Sequence, residues 1–214
     1  MNRFLYLLLS LLLNVPQYAM AADIAVGVQL TSESIKIKDD QNIDLAEMQG
    51  DVKIYPALSL YTKPNYLFND SQWGYQFKAS ASYFDINKQD VEGVESDLNT
   101  NIYGYSLSVA PIGFYHFNKN ETDSWQFKAG IGLGIAYTKL KGNFVITNSD
   151  NADHDETKNV DSKQTSPSIA TYFEAKQGNH LIVLQSFVPT VNEDSYQFEQ
   201  NSIVLSYSYL FQLK

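Results

Sequence analysis

The chain has 214 residues, a formal net charge of −9 and no cysteine. An acidic chain argues against nucleic acid as a partner, because phosphate binding requires a basic surface. The lack of cysteine excludes disulfides, a lipoprotein anchor and thiolate catalysis. The length suits a single domain.

Residues 1–21 have the pattern of a cleaved secretory signal peptide. Arg3 supplies the positive n-region, residues 4–15 form the apolar h-region, and Ala19 and Ala21 make an A-x-A cleavage site. The apolar run is shorter than the ~20 residues that a transmembrane helix needs. We therefore expect export through the Sec pathway and a mature domain of residues 22–214.

Eight segments of the mature chain alternate apolar and polar residues with the period of two that a strand requires. In chain order they cover residues 23–36, 52–62, 73–86, 102–117, 125–137, 168–176, 180–188 and 202–213. Pro56 lies inside the second segment and predicts a bulge or a weak point in its hydrogen-bond ladder. The seventh segment is the least regular, because residues 181–184 do not alternate.

The fifth segment shows the pattern most clearly. Its odd positions from Trp125 to Tyr137 are apolar, whereas its even positions are small or polar. Gly130, Gly132 and Gly134 resemble a phosphate-cradling loop, but that motif requires a strand to end and a helix to begin there. The alternation instead runs through them. An apolar outward face and a small, polar inward face are typical of a transmembrane β-barrel.

Long acidic connections alternate with short turns along the chain. Residues 39–51, 87–101 and 142–166 are long and acidic, whereas the intervening connections are short: about 63–72, 118–124 and 177–179. Outer-membrane barrels have long loops at one rim and short turns at the other. A soluble sandwich has no reason to separate them. We therefore predict an all-β fold, a transmembrane antiparallel up-and-down β-barrel of eight strands.

This architecture resembles the small eight-stranded outer-membrane barrels, namely the OmpA transmembrane domain, OmpX and the opacity-type surface proteins. The last strand carries Tyr207, Tyr209 and Phe211, which are similar to the signal that the barrel-assembly machinery reads. It departs from that signal by ending on Lys214 instead of an aromatic residue. The resemblance implies a monomer in a Gram-negative outer membrane, with lipid, lipopolysaccharide and the assembly machinery as partners.

Five charged residues fall on predicted inward faces: Lys53, Lys78, Lys128, Glu33 and Glu174. A buried charge without a partner is costly, so we expect these residues to pair with one another or with glutamines and water. Lys128 and Glu174 lie on neighbouring antiparallel strands near the short-turn end, and we predict an ion pair between them. Eight strands enclose a space just wide enough for side chains. The charges therefore either fill the tube or gate a narrow pore.

Aromatic residues mark both ends of the predicted strands. Trp73 and Trp125 begin the third and fifth strands at the short-turn end, and Tyr83, Tyr103 and Tyr137 lie toward the other rim. Two belts at the membrane interfaces explain this placement, because rings with a polar edge favour the interface. A ligand-binding aromatic cluster is the alternative.

The sequence points to no catalytic, cofactor or metal site. A lipid A hydrolase or acyltransferase needs a histidine beside a serine and an acid, and only His154, near Ser149, Asp153 and Asp155, has such neighbours. The same loop, with Asp150, lacks the glycine and the terminal glutamate of a calcium loop; a cation bridge to lipopolysaccharide is its alternative role. We predict a non-enzymatic outer-membrane protein with a structural or surface-interaction role. A narrow channel is the first alternative and a lipid A-modifying enzyme the second.

Overall fold

The computed structural model describes residues 22–68, 70–90, 100–119, 124–146, 156–193 and 196–212. The strands of this part are β1 (Ala22–Asp39), β2 (Asp44–Gln49), β3 (Lys53–Thr62), β4 (Asn65–Tyr66), β5 (Trp73–Ile86), β6 (Lys88–Asp90), β7 (Asn101–His116), β8 (Gln126–Ile146), β9 (Glu156–Gln177), β10 (His180–Val188), β11 (Thr190–Glu193) and β12 (Tyr196–Gln212). None of the described residues belongs to a helix that is long and apolar enough to span a membrane. The signal peptide predicted over residues 1–21 lies outside the described residues.

Eight of these strands close into a ring. Their order is β1-β3-β5-β7-β8-β9-β10-β12, every pairing is antiparallel, and β12 pairs back to β1 from Asp23 opposite Gln212 to Asp39 opposite Tyr196. Closure removes the free sheet edges and pairs backbone groups that lipid cannot satisfy. The predicted eight-stranded up-and-down barrel is confirmed.

The barrel wall continues well past the length that a bilayer requires. β8 and β9 have 21 and 22 residues and pair from Gln126 opposite Lys176 to Ile146 opposite Glu156, whereas about 9–11 residues cross a membrane. β2 extends the position of β3 at the same rim, and β11 extends that of β10. The prediction that 39–51, 87–101 and 142–166 are entirely loop is wrong, because parts of all three segments are strands.

The outward face carries a continuous apolar band. Val28, Leu58, Leu107, Ile131 and Leu205 are among its exposed aliphatic residues. Exposed aromatic residues flank the band: Trp73, Phe117, Phe127, Tyr209 and Phe211 lie toward the short-turn rim, and Tyr83, Tyr103 and Tyr105 toward the other. An exposed apolar surface of this extent is suited to hydrocarbon and not to water.

The lumen contains two apolar layers. The outer layer, near the long-loop rim, consists of Ile35, Ile37, Met48, Phe84, Ile86, Ile102, Leu140, Phe144, Val160 and Phe198. The inner layer, toward the short turns, consists of Ala25, Tyr61, Ile112, Tyr172, Leu181, Val183 and Leu210. Buried polar residues separate them, as Gln29, Thr31 and Glu33 do along β1. A bore filled only with small and hydrophilic side chains, as the sequence suggested, is therefore wrong.

The glycines of β8 accommodate a crowded wall. β8 runs through Gly130, Gly132 and Gly134 without a break. A Cβ at Gly134 would overlap the carbonyl of Val109 and lie 2.6 Å from the Cβ of Ala110 on the neighbouring strand. Close approach of β7 explains this glycine, since the strand continues where a phosphate loop would have to turn.

Candidate functional site

The short-turn half of the lumen contains a buried ion pair. Lys128 on β8 lies directly opposite Glu174 on β9, and its Nζ is 2.8 Å from Glu174 Oε1. The two side chains are only 7% and 4% exposed. Tyr172 donates a hydrogen bond from its hydroxyl to the other carboxylate oxygen, Oε2. The structure thus brings together the two residues that were predicted to pair, and it adds a phenol to the carboxylate.

Lys78 reaches the same half of the lumen from β5. Its Nζ donates a hydrogen bond to Oε1 of Gln185 and lies 5.3 Å from the ring centroids of both Tyr61 and Tyr172. Gln76 also donates to the Tyr172 hydroxyl, at 3.3 Å. Within the described part of the chain Lys78 has no carboxylate at ion-pair distance. Two aromatic faces and an amide oxygen contact the ammonium group instead. These groups stabilise a positive charge less than a carboxylate does.

Tyr66 lies at the rim with the short turns and is partly buried there. This residue belongs to β4, which pairs with the start of β5 so that Tyr66 faces Gly74. A Cβ at Gly74 would be 2.7 Å from the carbonyl oxygen of Asn65 and 2.8 Å from a ring carbon of Phe114. Glycine therefore allows β4 and Phe114 to approach. Tyr66 then packs edge-on against Phe114, with 5.9 Å between the ring centroids.

His116 and Lys119 hold the Tyr66 ring in place. The Tyr66 hydroxyl is 2.6 Å from His116 Nδ1, and the two rings stack at 6.1 Å. Lys119 Nζ lies 3.9 Å from the centroid of the Tyr66 ring. No sequence pattern indicates this contact, because β4 has only two residues and shows no periodicity.

A seam interrupts the barrel wall between β3 and β5. Their ladder runs only from Leu58 opposite Ala81 to Tyr61 opposite Lys78. On its other side β3 pairs with β1 through Pro56, which lies opposite Val28. Proline has no N–H to donate. The weak point that the sequence predicted at Pro56 therefore lies on the side of β3 that faces β5.

Side chains bridge this seam where the ladder is missing. Lys53 Nζ donates to Oδ2 of Asp85 at 2.8 Å and to its backbone carbonyl at 3.0 Å. The Tyr55 ring packs edge-on against Tyr83 with 5.3 Å between centroids. Lys53 thus connects two strands that share no backbone hydrogen bonds at this level.

The five predicted lumen charges do not form a single network. Lys128 pairs with Glu174, Lys53 bridges to Asp85, and Lys78 binds Gln185. Glu33 is 7% exposed, and its Oε1 has no hydrogen-bond partner within the described residues. Asp85 was not among the predicted residues, because its contact depends on the shift in strand register at the seam.

Replacing Lys53 with methionine is expected to loosen the seam. The change removes two charge-assisted hydrogen bonds, each worth about 1.5–3 kcal/mol, from a bridge whose side chains are 28% and 33% exposed. Amide hydrogen exchange should accelerate in residues 52–57 and 82–87. Lys36→Met is the matched control, since Lys36 belongs to an exposed ion pair of 3.7 Å on the outward face of the barrel near the long-loop rim. Equal exchange at 82–87 in the two variants would contradict the bridge.

The residues predicted as interface aromatics occupy both margins of the apolar band. Trp73 is 59% exposed and packs edge-on against Tyr115 at 5.1 Å. Trp125 directly precedes β8 in the turn after β7. Tyr83 and Tyr103 are exposed at the opposite margin. Tyr137 lies there too, 6.2 Å from the ring of Tyr105.

The residues predicted as an assembly signal lie on the outward face of β12. Tyr207, Tyr209 and Phe211 are all exposed, and the last two pack edge-on at 5.1 Å. The Tyr207 hydroxyl is 2.7 Å from Nδ1 of His180, whose ring stacks on it. Their role in barrel assembly stays a prediction from the resemblance.

The described residues include no group of three or more His, Cys, Asp or Glu side chains that could hold a metal ion. The grouping of Ser149, Asp150, Asp153, His154 and Asp155, on which the catalytic and cation alternatives depended, lies outside the described residues. The two described histidines contact tyrosine hydroxyls, His116 with Tyr66 and His180 with Tyr207.

A closed antiparallel ring with an apolar outward band and aromatic margins is the structure of an outer-membrane β-barrel. The chain is therefore a small eight-stranded barrel of the outer membrane, as the sequence predicted. No family model matches the sequence, and no characterised protein matches it in sequence.

Several solved structures are similar to the chain over nearly its whole length. Ail, the attachment invasion locus protein of Yersinia pestis, is 13% identical over 90% of this chain and 100% of that chain, with a TM-score of 0.43. Neisserial surface protein A is 12% identical over 86% and 97%, with a TM-score of 0.42. OprG from Pseudomonas aeruginosa is 18% identical over 91% and 97%, with a TM-score of 0.41. Because these identities and TM-scores are low, the fold is assigned from the closed ring and the apolar outward band of this chain.

Proposed function

We propose that this protein is a non-enzymatic, non-conducting barrel that contributes to the cell envelope through a rigid wall and its outer rim. The observation that carries the proposal is the filled lumen. Two apolar layers lie one above the other, and the buried pair of Lys128 and Glu174 accompanies the inner one.

The side chains of the outer layer are as fully buried as those of a protein core. Phe84, Phe144 and Phe198 are 0–1% exposed. The Phe144 ring packs edge-on against Phe198 at 5.7 Å and against Tyr196 at 5.5 Å. A hydrophobic constriction excludes water, and with it hydrated solutes. This packing supports a closed barrel over the alternative of a small-solute channel.

The part of the barrel wall that extends past the outer aromatic margin supports a role in surface contact. Past the aromatic margin its outward face is polar, and ion pairs join Lys36 to Glu47 and Lys141 to Asp161 at 3.7 and 2.9 Å. The hydrogen bond and the charge of the Asp161 carboxylate raise the pKa of Lys141. A paired wall that extends beyond the membrane places the outer rim of the barrel away from the lipid surface. Loops on a rigid scaffold are the usual place for recognition.

Conductance measurements test the closed lumen. The folded protein, identified by its heat-dependent migration on a gel, is expected to give no steady conductance after reconstitution into planar bilayers. An open porin reconstituted in parallel is the positive control. Discrete conductance steps would favour the channel, and altered lipid A mobility in cells that express the gene would favour the enzyme.

A further inference from the structure

We propose that Lys139 on β8 and Lys163 on β9 form a binding site for the phosphate groups of an outer-leaflet lipid on the outside of the barrel. The proposal rests on the surface role proposed above and names one ligand class for it. The site would be occupied by lipopolysaccharide, whose anionic headgroup faces the same side of the membrane as the extended wall.

The register of β8 and β9 places these two lysines side by side. Lys139 lies directly opposite Lys163, and the next outward pair toward the membrane is Tyr137 opposite Thr165. Directly opposed residues on one face of an antiparallel pair have Cβ atoms ~4.5–5.5 Å apart, where like charges repel. An anion bound between the two ammonium groups would convert this repulsion into attraction.

Other lysines of the extended wall already have carboxylate partners. Lys36 pairs with Glu47 at 3.7 Å, Lys38 with Glu199 at 3.0 Å and Lys141 with Asp161 at 2.9 Å. Among the described residues, neither Lys139 nor Lys163 has a carboxylate within ion-pair distance. This contrast is sharp in a chain with a net charge of −9, in which acidic partners are plentiful.

The height of the pair matches the lipid headgroups. Tyr137 and Tyr105 belong to the outer aromatic margin, and Tyr105 lies directly opposite Lys139 on β7. Lys139 is two residues beyond Tyr137, which is roughly 7 Å at the rise of a strand. On the membrane side of Tyr137 the outward residues Ile135 and Leu133 are apolar and exposed. Interfacial lysines above an aromatic belt are placed to contact lipid phosphates.

The test compares two double variants of the full-length barrel in nanodiscs. Lys139→Gln with Lys163→Gln removes the proposed site, and Lys36→Gln with Lys38→Gln removes the same charge from lysines that have partners. Binding of fluorescent lipopolysaccharide is measured for each. The first double variant should bind roughly 30-fold more weakly, since each lysine near an anionic surface contributes about 5-fold. The second should lose much less.

Further arms define the ligand. Lys139→Arg with Lys163→Arg should keep the affinity, and heat-dependent migration verifies that every variant is folded. Lipid A without its phosphates should bind to the unaltered protein as weakly as lipopolysaccharide binds to the variant with Lys139→Gln and Lys163→Gln. Equal loss in the two glutamine variants, no lipopolysaccharide binding by the unaltered protein, or displacement by micromolar inorganic phosphate would each overturn the proposal. The conductance and lipid A results judge the proposed function independently of these outcomes.

Discussion

Replacing Lys128 with methionine is expected to lower the free energy of unfolding by about 3–5 kcal/mol, because it leaves a buried carboxylate without its cation. Glu174 is 3% exposed and would retain only the hydrogen bond from Tyr172. The side chains of Lys128 and Glu174 are only 7% and 4% exposed, so solvent has little access to replace the ammonium group. Urea unfolding of the barrel in lipid vesicles, followed by tryptophan fluorescence, measures the change.

A second substitution separates loss of the charge pair from loss of packing. Lys128→Met combined with Glu174→Gln removes both charges and keeps an oxygen that accepts the Tyr172 hydrogen bond, so we expect it to recover most of the lost stability. Lys63→Met, in the exposed turn after β3, is the matched control and should change stability by less than about 0.5 kcal/mol. If Lys128→Met behaves like Lys63→Met, the pair has no structural role.

The part of the fold inside the membrane could be predicted from the sequence because its lipid-facing residues follow one rule. They are apolar, and along a strand such as 125–137 the lumen-facing residues are small or polar, so the alternation identifies both faces. The inner apolar layer departs from the lumen half of this pattern. The pairing of Lys128 with Glu174 followed from the same rule. Neighbouring strands of an up-and-down barrel are antiparallel, and both residues lie close to the short connection between their strands.

The rule reverses where the wall leaves the membrane, and there the sequence-based prediction was wrong. Beyond Tyr137 the outward residues of β8 are Lys139 and Lys141, while Leu140 and Phe144 face the lumen. Water on the outside now favours apolar residues inside. A search for apolar outward faces therefore assigned these strand segments to loops. After Tyr137 the apolar residues Leu140 and Phe144 fall on the lumen-facing positions of β8 instead of the outward ones. This change in the alternation could have identified these strand segments.

The contacts at the seam could not be predicted from the sequence, for a different reason. Pro56 indicated a weak point in the hydrogen bonding of β3. The sequence does not show whether this point lies on the side that faces β1 or on the side that faces β5. The bridge from Lys53 to Asp85 then depends on a register shift, since β3 and β5 pair at Leu58 opposite Ala81 whereas β2 and β6 pair at Gln49 opposite Lys88. Periodicity fixes the face of a residue and leaves its register open.

The reversed alternation has a direct consequence for stability, which Phe144→Ala tests. Phe144 is 1% exposed and packs against Phe198 and Tyr196. Truncating a buried phenylalanine costs about 3–5 kcal/mol in a water-soluble core. We expect a loss of this size here, because the outer layer excludes water just as such a core does. Hydrogen exchange should accelerate in residues 35–38, 140–146 and 196–200 and stay slow in the membrane-spanning strands.

The matched control is Ile131→Ala on the lipid-facing side of the same strand. Ile131 is 63% exposed, so lipid fills the space that the truncation leaves and no cavity forms. Its substitution should cost well under the ~3 kcal/mol expected for Phe144→Ala. Conductance should remain absent in the Phe144 variant, because the inner layer around Tyr61, Tyr172 and Leu210 still closes the lumen. Equal losses of stability in the two variants would mean that the outer layer is solvated, and the account of a wall with its own apolar core would fail.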